Sequence, residues 1–455
     1  MKNKIDSYFK ISERGSSIKT EVTAGLTTFM AMAYILAVNP SILAATGMDS
    51  ARVFTATALA SAIATIFMGV TANYPIALSS AMGLNAYFAY SVCLPLLDKG
   101  VEDPWKITLL AVFCEGIIFI LLSFCNFREK LVNDVPFNLK CGITCGIGLF
   151  IALIGLKNAG IVVADSGTII GFGDISTPEV ALALIGILII GFLYSKGIRG
   201  SLLLGMLIVW GLGMLAQLAG WYQVNPEAGV YSLFPQFNGS LIPAAPYLGE
   251  FSTEWALNHI VDFCIIIFSF LFVDLFDTVG TLIGIAEKGG LLDENQALPN
   301  AKQALLADAI GTTVGAALGT STVSSYVESS AGVSAGGRTG FASVITGGLF
   351  VAALLFAPIF TAIPSFATTP VLVFVGLLMI SQIQEMVLED GDIADIIGGF
   401  LAIIMMPFTG SVAYGIMFGM LSWTILKVFN GKAKDVPGVI WVASAMFVVK
   451  IITMI

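Results

Sequence analysis

Two carboxylates three residues apart lie in one of the most apolar stretches of this chain. Asp274 and Asp277 interrupt the run FLFVDLFDTVG at residues 270–280. If the run is helical, this spacing puts both side chains on one helix face. Carboxylates are costly to bury in a membrane-like segment, so they are rare there and usually functional. We expect at least one of the two to act on a ligand or a proton. The alternative is a purely structural bond to a neighbouring Ser or Thr.

Two short polar stretches interrupt other apolar runs. The first is SSAMGLN at residues 79–85, and the second is GTSTVSSYVE at residues 319–328. Polar, irregular backbone survives at membrane depth only where it is buried in protein or lines a cavity. The two interruptions occupy corresponding positions in the two halves of the chain. Such a pair is typical of the substrate site of a transporter.

Asn85 and Glu328, at the ends of these two stretches, are the candidate ligand-binding residues. An amide can both donate and accept hydrogen bonds, whereas a carboxylate accepts. Short helices after the interruptions would add N-terminal N–H groups with a positive partial charge. A flat heterocycle with alternating donors and acceptors fits this set, and so would other polar solutes. The structural alternatives are a helix cap for Asn85 and a hydroxyl partner for Glu328.

Glu115 and the cysteines, which also lie in or beside apolar segments, are weaker candidates for a functional role. Glu115 stands alone in its segment; we favour a buried hydrogen-bonding role, and a second proton site is the alternative. The six cysteines lie in or beside apolar runs, and we interpret them as small buried hydrophobes rather than metal ligands or disulfides. We expect no metal, no cofactor and no nucleic-acid partner.

The composition is that of a membrane protein. The chain has 455 residues, of which 57% are hydrophobic and 11% are charged, whereas soluble domains carry about 25% charged residues. Apolar runs of roughly 17–25 residues, the length that crosses a bilayer, recur along the whole chain. We therefore predict an all-α polytopic membrane protein.

Fourteen apolar segments can be counted, seven in each half, with the interruptions in segments three and ten. An odd number of spans per half inverts the second half relative to the first, which is the inverted-repeat plan of secondary transporters. Segments one to four and eight to eleven carry the polar residues. The others have few polar residues, as expected for a gate bundle. The predicted parts are a cytoplasmic N-terminal segment (1–20), a core bundle (21–125 and 259–357), a gate bundle (139–219 and 369–428), an extracytoplasmic loop (220–258) and an apolar tail (438–455) that either spans or lies in the interface.

The positive charges predict the orientation. With the N-terminus placed inside, the inside connections carry 16 of the 21 Lys and Arg residues. The outside connections carry four, and Lys450 lies in the apolar tail. Because cytoplasmic connections are enriched in Lys and Arg, the N-terminus is expected to be cytoplasmic.

Four stretches carry a resemblance to a known family. They are residues 21–34 (EVTAGLTTFMAMAY), 79–90 (SSAMGLNAYFAY), 273–282 and 319–340. They resemble the bacterial and fungal adenine/guanine/hypoxanthine permease family, which is related to the uracil and xanthine/urate permeases. The resemblance extends over essentially the whole chain, and the stretch from Tyr326 to Gly340 is its most specific part.

This resemblance implies fourteen spans in a core and a gate bundle, with a short strand before a half-helix in segments three and ten. It also implies proton symport of purine bases. By motif, Asn85, Asp274 and Glu328 fall at substrate-binding positions, and Asp277 falls at a position tied to transport. Ser321, Thr322 and Tyr326 of the second interruption are further candidates for substrate binding. Asp277 is our first choice for proton coupling, and Glu328 is the second.

We therefore predict a proton-coupled importer of purine nucleobases in the cell (inner) membrane, with alternating access between core and gate. The preferred purine, the proton stoichiometry and self-association into a homodimer are left open. One alternative is a channel or exchanger of the same fold for an anion or another solute; carboxylates in the site, and no Lys or Arg deep in any span, disfavour an anion. A membrane enzyme would need a metal cluster or a nucleophile–base pair, and the sequence shows neither.

Overall fold

The computed structural model describes residues 2–124, 135–225, 231–235, 243–293, 298–388 and 391–454. The predicted core boundary at residue 125 and parts of the predicted loop 220–258 lie outside these residues. Within them the chain is helical, with two pairs of short strands.

The described elements follow one another in this order: α1 (Lys2–Phe9), α2 (Ile18–Met32), α3 (Ile35–Ala44), α4 (Ser50–Thr71), β1 (Leu78–Ser80), α5 (Met82–Ala86), a π-helix (Tyr87–Cys93), α6 (Leu94–Asp98), α7 (Pro104–Phe124), α8 (Phe137–Asn158), β2 (Val162–Asp165), β3 (Ile169–Phe172), α9 (Pro178–Ser195), α10 (Ser201–Leu218), α11 (Glu254–Asn258), α12 (Ile260–Gly289), α13 (Ala301–Leu318), β4 (Val323–Ser325), α14 (Ser329–Ser334), α15 (Gly340–Ala353), a 3₁₀ turn (Leu354–Phe356), α16 (Ala357–Phe360), α17 (Ser365–Ile380), a 3₁₀ turn (Ser381–Glu385), α18 (Ile393–Thr409), α19 (Val412–Phe429), a 3₁₀ turn (Ala433–Asp435) and α20 (Gly438–Met454).

The chain is a multi-pass membrane protein. Among the described residues, nine helical stretches are long and apolar enough to cross a bilayer, and Ile393–Thr409 and Ile440–Ile452 are shorter apolar helices. Helix α12, which carries Asp274 and Asp277, has 30 residues and is therefore about 45 Å long. The count of fourteen spans stays a prediction.

The two interrupted segments meet through their strands. Strand β1 pairs with β4 in antiparallel register, Ser79 opposite Ser324, and both strands are buried. Two further bonds extend the ladder, from Ala81 N to Thr322 O (2.9 Å) and from Tyr326 N to the carbonyl oxygen of residue 77 (3.0 Å). The short helices α5 and α14 follow the strands. The predicted strand and short helix in each interrupted segment are therefore confirmed.

Glycines set the ends and the close approaches of the helices around these strands. Gly319 ends α13 with a φ of +96°, and a Cβ there would lie 2.6 Å from the Cβ of Tyr247. A Cβ on Gly340, at the start of α15, would lie 1.9 Å from the carbonyl oxygen of Gly69 in α4. Any side chain at either position would push the interrupted segment away from its supports.

Helix α20 forms the predicted apolar tail and packs lengthwise against two other helices. Ser444 and Thr424 of α19 share a hydrogen bond of 3.0 Å. The ring of Phe447 lies edge-on to Phe268 of α12, with 5.8 Å between ring centroids, and Lys450 forms an ion pair with Asp262. Later residues of α20 contact earlier residues of α12, so the two helices are antiparallel. The tail therefore packs against α12 and α19, and its crossing of the membrane stays a prediction.

At the start of α18, Asp392 binds two lysines and caps the helix. Its Oδ2 accepts from Lys427 Nζ (2.7 Å) and Lys432 Nζ (2.8 Å), and its Oδ1 accepts from Ala394 N (3.0 Å). These donors, led by Lys427, hold the pKa of Asp392 well below its ordinary value. A lowered carboxyl pKa stabilises the fold above the unfolded-state pKa of about 3.9, and this contribution is lost as the pH falls towards the native-state pKa.

We expect Asp392→Asn to lower the free energy of unfolding by about 1–2 kcal/mol at pH 7, since it weakens hydrogen bonds to charged groups. The difference from the wild type should shrink as the pH falls below about 4. Thermal unfolding in detergent across this pH range measures both effects. Asp103→Asn is the matched control, because Asp103 makes an exposed ion pair with Lys106, typically worth about 0–1 kcal/mol. If Asp392→Asn lowers the free energy of unfolding equally at pH 7 and pH 3.5, the lowered pKa of Asp392 does not contribute to stability as described.

Candidate functional site

Asn85 lies where the two interrupted segments meet, and it is completely buried. Its amide oxygen accepts hydrogen bonds from Ser80 Oγ (2.8 Å) and from Ser321 Oγ. These two hydroxyls fix the orientation of the amide. Its nitrogen, Nδ2, is then a buried donor, and no described protein group accepts a hydrogen bond from it. A buried donor without an acceptor costs about 1–3 kcal/mol. A ligand carrying an acceptor would remove that cost.

Glu328 is held by residues from two other parts of the fold. It lies just before α14 and is half-buried. Its Oε1 accepts a hydrogen bond from the hydroxyl of Tyr34, which is fully buried between α2 and α3. Tyr326 Oη donates to Ser80 O (2.5 Å), and Tyr326 and Asp277 lie within electrostatic range of Glu328. The carboxylate therefore belongs to the same site as the strands.

Asp274 and Asp277 have different surroundings. Asp277 is half-buried, and its Oδ2 accepts from Ser324 Oγ of β4 (2.9 Å). Asp274 is fully buried, and its Oδ1 lies 3.2 Å from the hydroxyl of Thr278. The expectation that the two are not equivalent agrees with this geometry, and Asp277 is the more accessible of the pair.

Thr278 joins Asp274 to a third carboxylate. Its Oγ1 lies 2.8 Å from Asp308 Oδ1 in α13, and Asp308 is also fully buried. A hydroxyl has a single proton to donate, and the shorter of the two contacts is the one to Asp308. Because Thr278 is also 3.3 Å from Ser324, this pair of carboxylates is connected through hydroxyls to Asp277.

Thr322 and Glu115 form a separate buried contact. Thr322 Oγ1 donates to Glu115 Oε2 over 2.8 Å, and both residues are fully buried. The hydroxyl of Thr322, a predicted substrate-binding group, is thus directed to α7 in this structure. The contact favours the structural interpretation of Glu115 over a second proton site.

The structure brings most predicted site residues together, namely Asn85, Ser321, Tyr326, Glu328 and Asp277, and it places Asp274 and Thr322 behind them. It also adds Tyr34, Ser80, Thr278 and Asp308, which sequence reasoning missed. Asp308 could have been found, because it is a carboxylate in an apolar segment, the same signal that singled out Glu115. A tyrosine in an apolar run has no such signal, since tyrosine is common in cores and at membrane interfaces.

Comparison with known proteins identifies the family. Residues 19–418 match the model of the Permease family (Xan_ur_permease). An adenine permease of Escherichia coli is 38% identical over 448 residues, covering 98% of this chain and 96% of that protein. A guanine/hypoxanthine permease of Bacillus subtilis is 41% identical over 447 residues, covering 97% and 99%. The chain belongs to the adenine/guanine/hypoxanthine permease family.

The fold of this permease is also found in a solved structure. The transmembrane domain of a cyanobacterial bicarbonate transporter superposes with a TM-score of 0.65 at 16% identity, covering 87% of this chain and 97% of that domain. At this identity the likeness concerns the fold alone. The permease thus has the architecture of a membrane transporter domain.

If Thr322 and Glu115 stabilise each other, their mutations should not be additive. We expect Thr322→Val and Glu115→Gln each to lower the unfolding free energy by about 1–3 kcal/mol, as for other buried hydrogen bonds. The double variant should lose at least about 0.5 kcal/mol less than the sum, because the bond that Glu115→Gln weakens is already absent once Thr322 is replaced by Val. Thermal unfolding in detergent of the wild type, the two single variants and the double variant gives this double-mutant cycle.

Thr55→Val is a matched control for this cycle. Thr55 is buried, and its hydroxyl donates to the carbonyl of Ala51 in its own helix, its one hydrogen-bond partner among the described residues. It should show no coupling to Glu115→Gln. Strictly additive effects of Thr322→Val and Glu115→Gln would contradict a stabilising role of this contact.

Proposed function

We propose that this permease imports purine nucleobases across the cell membrane in symport with protons. The observation that carries the proposal is the unsatisfied amide N–H of the buried Asn85, in one site with the half-buried carboxylates Glu328 and Asp277. Such a site offers a donor to one edge of a ligand and acceptors to another. The names of the relatives, an adenine permease and a guanine/hypoxanthine permease, support a purine as the ligand.

In this proposal Asn85 and Glu328 recognise the base by hydrogen bonding. Asn85 Nδ2 donates to a ring nitrogen or carbonyl oxygen of the purine, and Ser80 and Ser321 hold the amide in that orientation. Glu328 accepts from a purine N–H. Hydrogen bonds that leave no polar group unpaired favour the purine over an apolar ring of the same shape. An anionic cargo is disfavoured, because it would face Glu328 and Asp277.

Asp277 is the proposed proton carrier. It is accessible enough to exchange a proton, and it accepts a hydrogen bond from Ser324 of β4, four residues before Glu328. Protonation neutralises a charge that is costly to move through a low-dielectric region, so the loaded site could cross the membrane. Asp274, Thr278 and Asp308 form a hydrogen-bonded cluster that Ser324 connects to Asp277. The driving force would include the membrane potential, about 2.3 kcal/mol per charge per 100 mV.

Alternating access would move the site against a gate. Helix packing supports this division: α4 packs against α15 and α13, whereas α8 packs against α17 and α18. The interrupted segments belong to the first group, the proposed core. The excess of Lys and Arg in the inside connections supports a cytoplasmic N-terminus.

Glu328→Gln is the direct test of ligand binding. Glutamine keeps the shape but presents N–H groups to a purine N–H, and a hydrogen bond to a charged group is worth about 1.5–3 kcal/mol. We expect at least a tenfold loss of affinity for adenine, guanine or hypoxanthine, measured with radiolabelled purines on permease in proteoliposomes. Glu102→Gln, at an exposed site, should bind normally. Near-normal purine binding by Glu328→Gln would remove Glu328 from the site.

The two aspartates of α12 should separate coupling from binding. We expect Asp277→Asn to bind purine but to lose accumulation driven by an imposed pH gradient, because it no longer takes up a proton. Asp274→Asn should weaken binding itself, since it disturbs the support behind the site. Purine binding and gradient-driven uptake are measured separately on both variants. If Asp277→Asn still concentrates purine in response to a pH gradient, the coupling site is elsewhere, with Glu328 and Glu115 the next candidates.

A further inference from the structure

We propose that Tyr34 prevents the permease from preferring guanine over hypoxanthine, by donating to one oxygen of the Glu328 carboxylate. This inference rests on the proposed function, in which Glu328 accepts a hydrogen bond from the purine. A carboxylate oxygen can accept two hydrogen bonds, but with Oε1 already accepting from Tyr34 it is a weaker acceptor for the base. Glu328 therefore binds one N–H of the base strongly, and a second adjacent N–H adds little affinity.

The Tyr34 hydroxyl is held in place by its position in the fold. Tyr34 is fully buried and lies at the junction of α2 and α3, where its backbone carbonyl accepts from Ala37 N and Val38 N, both at 3.0 Å. Its hydroxyl donates to Glu328 Oε1, 294 residues away along the chain. A buried tyrosine has only two side-chain torsions to fix, so the donor is well positioned before a ligand arrives.

Glu328 is constrained from its other side as well. Its carboxylate lies close to its own backbone N–H, and the residue is the N-cap of α14. The carboxylate therefore has little freedom to rotate away from Tyr34. Glu328 is half-buried whereas Tyr34 is fully buried. In this proposal a ligand meets the part of the carboxylate that Tyr34 does not cover.

Purines differ in how they would use such a carboxylate. Guanine presents its N1–H and a 2-amino N–H side by side, a pair that matches both oxygens of a free carboxylate, as an arginine fork does. Hypoxanthine has the same ring and N1–H but lacks the 2-amino group. Comparison of the two bases therefore isolates the contribution of the second N–H. With Tyr34 on Oε1, guanine gains little over hypoxanthine; without the phenol hydroxyl, guanine can use both oxygens.

The test is the ratio of guanine affinity to hypoxanthine affinity in full-length permease, measured by equilibrium binding of each radiolabelled base. We expect the wild type to bind the two bases within about threefold of each other. In Tyr34→Phe, which removes only the hydroxyl, the ratio should shift at least fivefold towards guanine. Tyr222→Phe is the matched control, because the Tyr222 hydroxyl donates to a backbone carbonyl at Tyr231, away from the site. It should leave the ratio unchanged.

Each outcome has a separate meaning. A Tyr34→Phe protein whose affinities for both bases fall by the same factor would overturn the proposal and leave Tyr34 a structural role. A wild type that binds guanine at least tenfold more tightly than hypoxanthine would overturn it without any variant, so the proposal stays testable if Tyr34→Phe does not fold. A wild type that binds none of adenine, guanine and hypoxanthine would instead overturn the proposed function, whereas one that binds adenine alone would overturn only the assignment of Tyr34. Binding of both bases with an unshifted ratio overturns only the assignment of Tyr34.

Discussion

The rest of this structure depends on the need of every backbone N–H and C=O inside a membrane for a partner within the protein. Helices meet this need alone, whereas the interrupted segments cannot. The permease solves the problem by pairing one interruption with the other, as β1 and β4. The irregular backbone that a binding site requires is therefore tolerated only because the two halves of the chain supply each other's hydrogen bonds.

The same pairing distributes the hydroxyl groups of the site. Side chains alternate along a strand, so neighbouring serines serve different partners. Ser79 shares a hydrogen bond with Ser61 of α4 (2.6 Å), while Ser80 binds Asn85. On β4, Ser324 reaches Asp277. The two three-residue strands thus connect the amide of Asn85, the carboxylates of α12 and the supporting helices. The close approach of Gly340 in α15 to Gly69 in α4 keeps these helices tightly packed.

The sequence was sufficient for those features that polarity makes conspicuous. Asn85, Asp274, Asp277 and Glu328 stand out because polar groups are costly in apolar segments, and the resemblance to a permease family added the strands. The partners of these residues could not be predicted, since they depend on packing between helices far apart in the chain. Nothing in the sequence links Tyr34 to Glu328, or Lys450 to Asp262. The direction of the Thr322 hydroxyl towards Glu115 likewise became clear only from the packing of α7.

The pairing of β1 with β4 also has a consequence for how the protein is made. Tyr326 and its partner Ser80 are 246 residues apart, and a ribosome adds roughly 5–20 residues per second. Strand β1 must therefore wait on the order of ten seconds or more for its complement, and contacts between residues this far apart form slowly in any case. During that interval the first half of the chain holds a polar segment without its partner. The two strands can pair only after β4 has been synthesised, so every helix from α1 to α13 is made before this part of the fold can form.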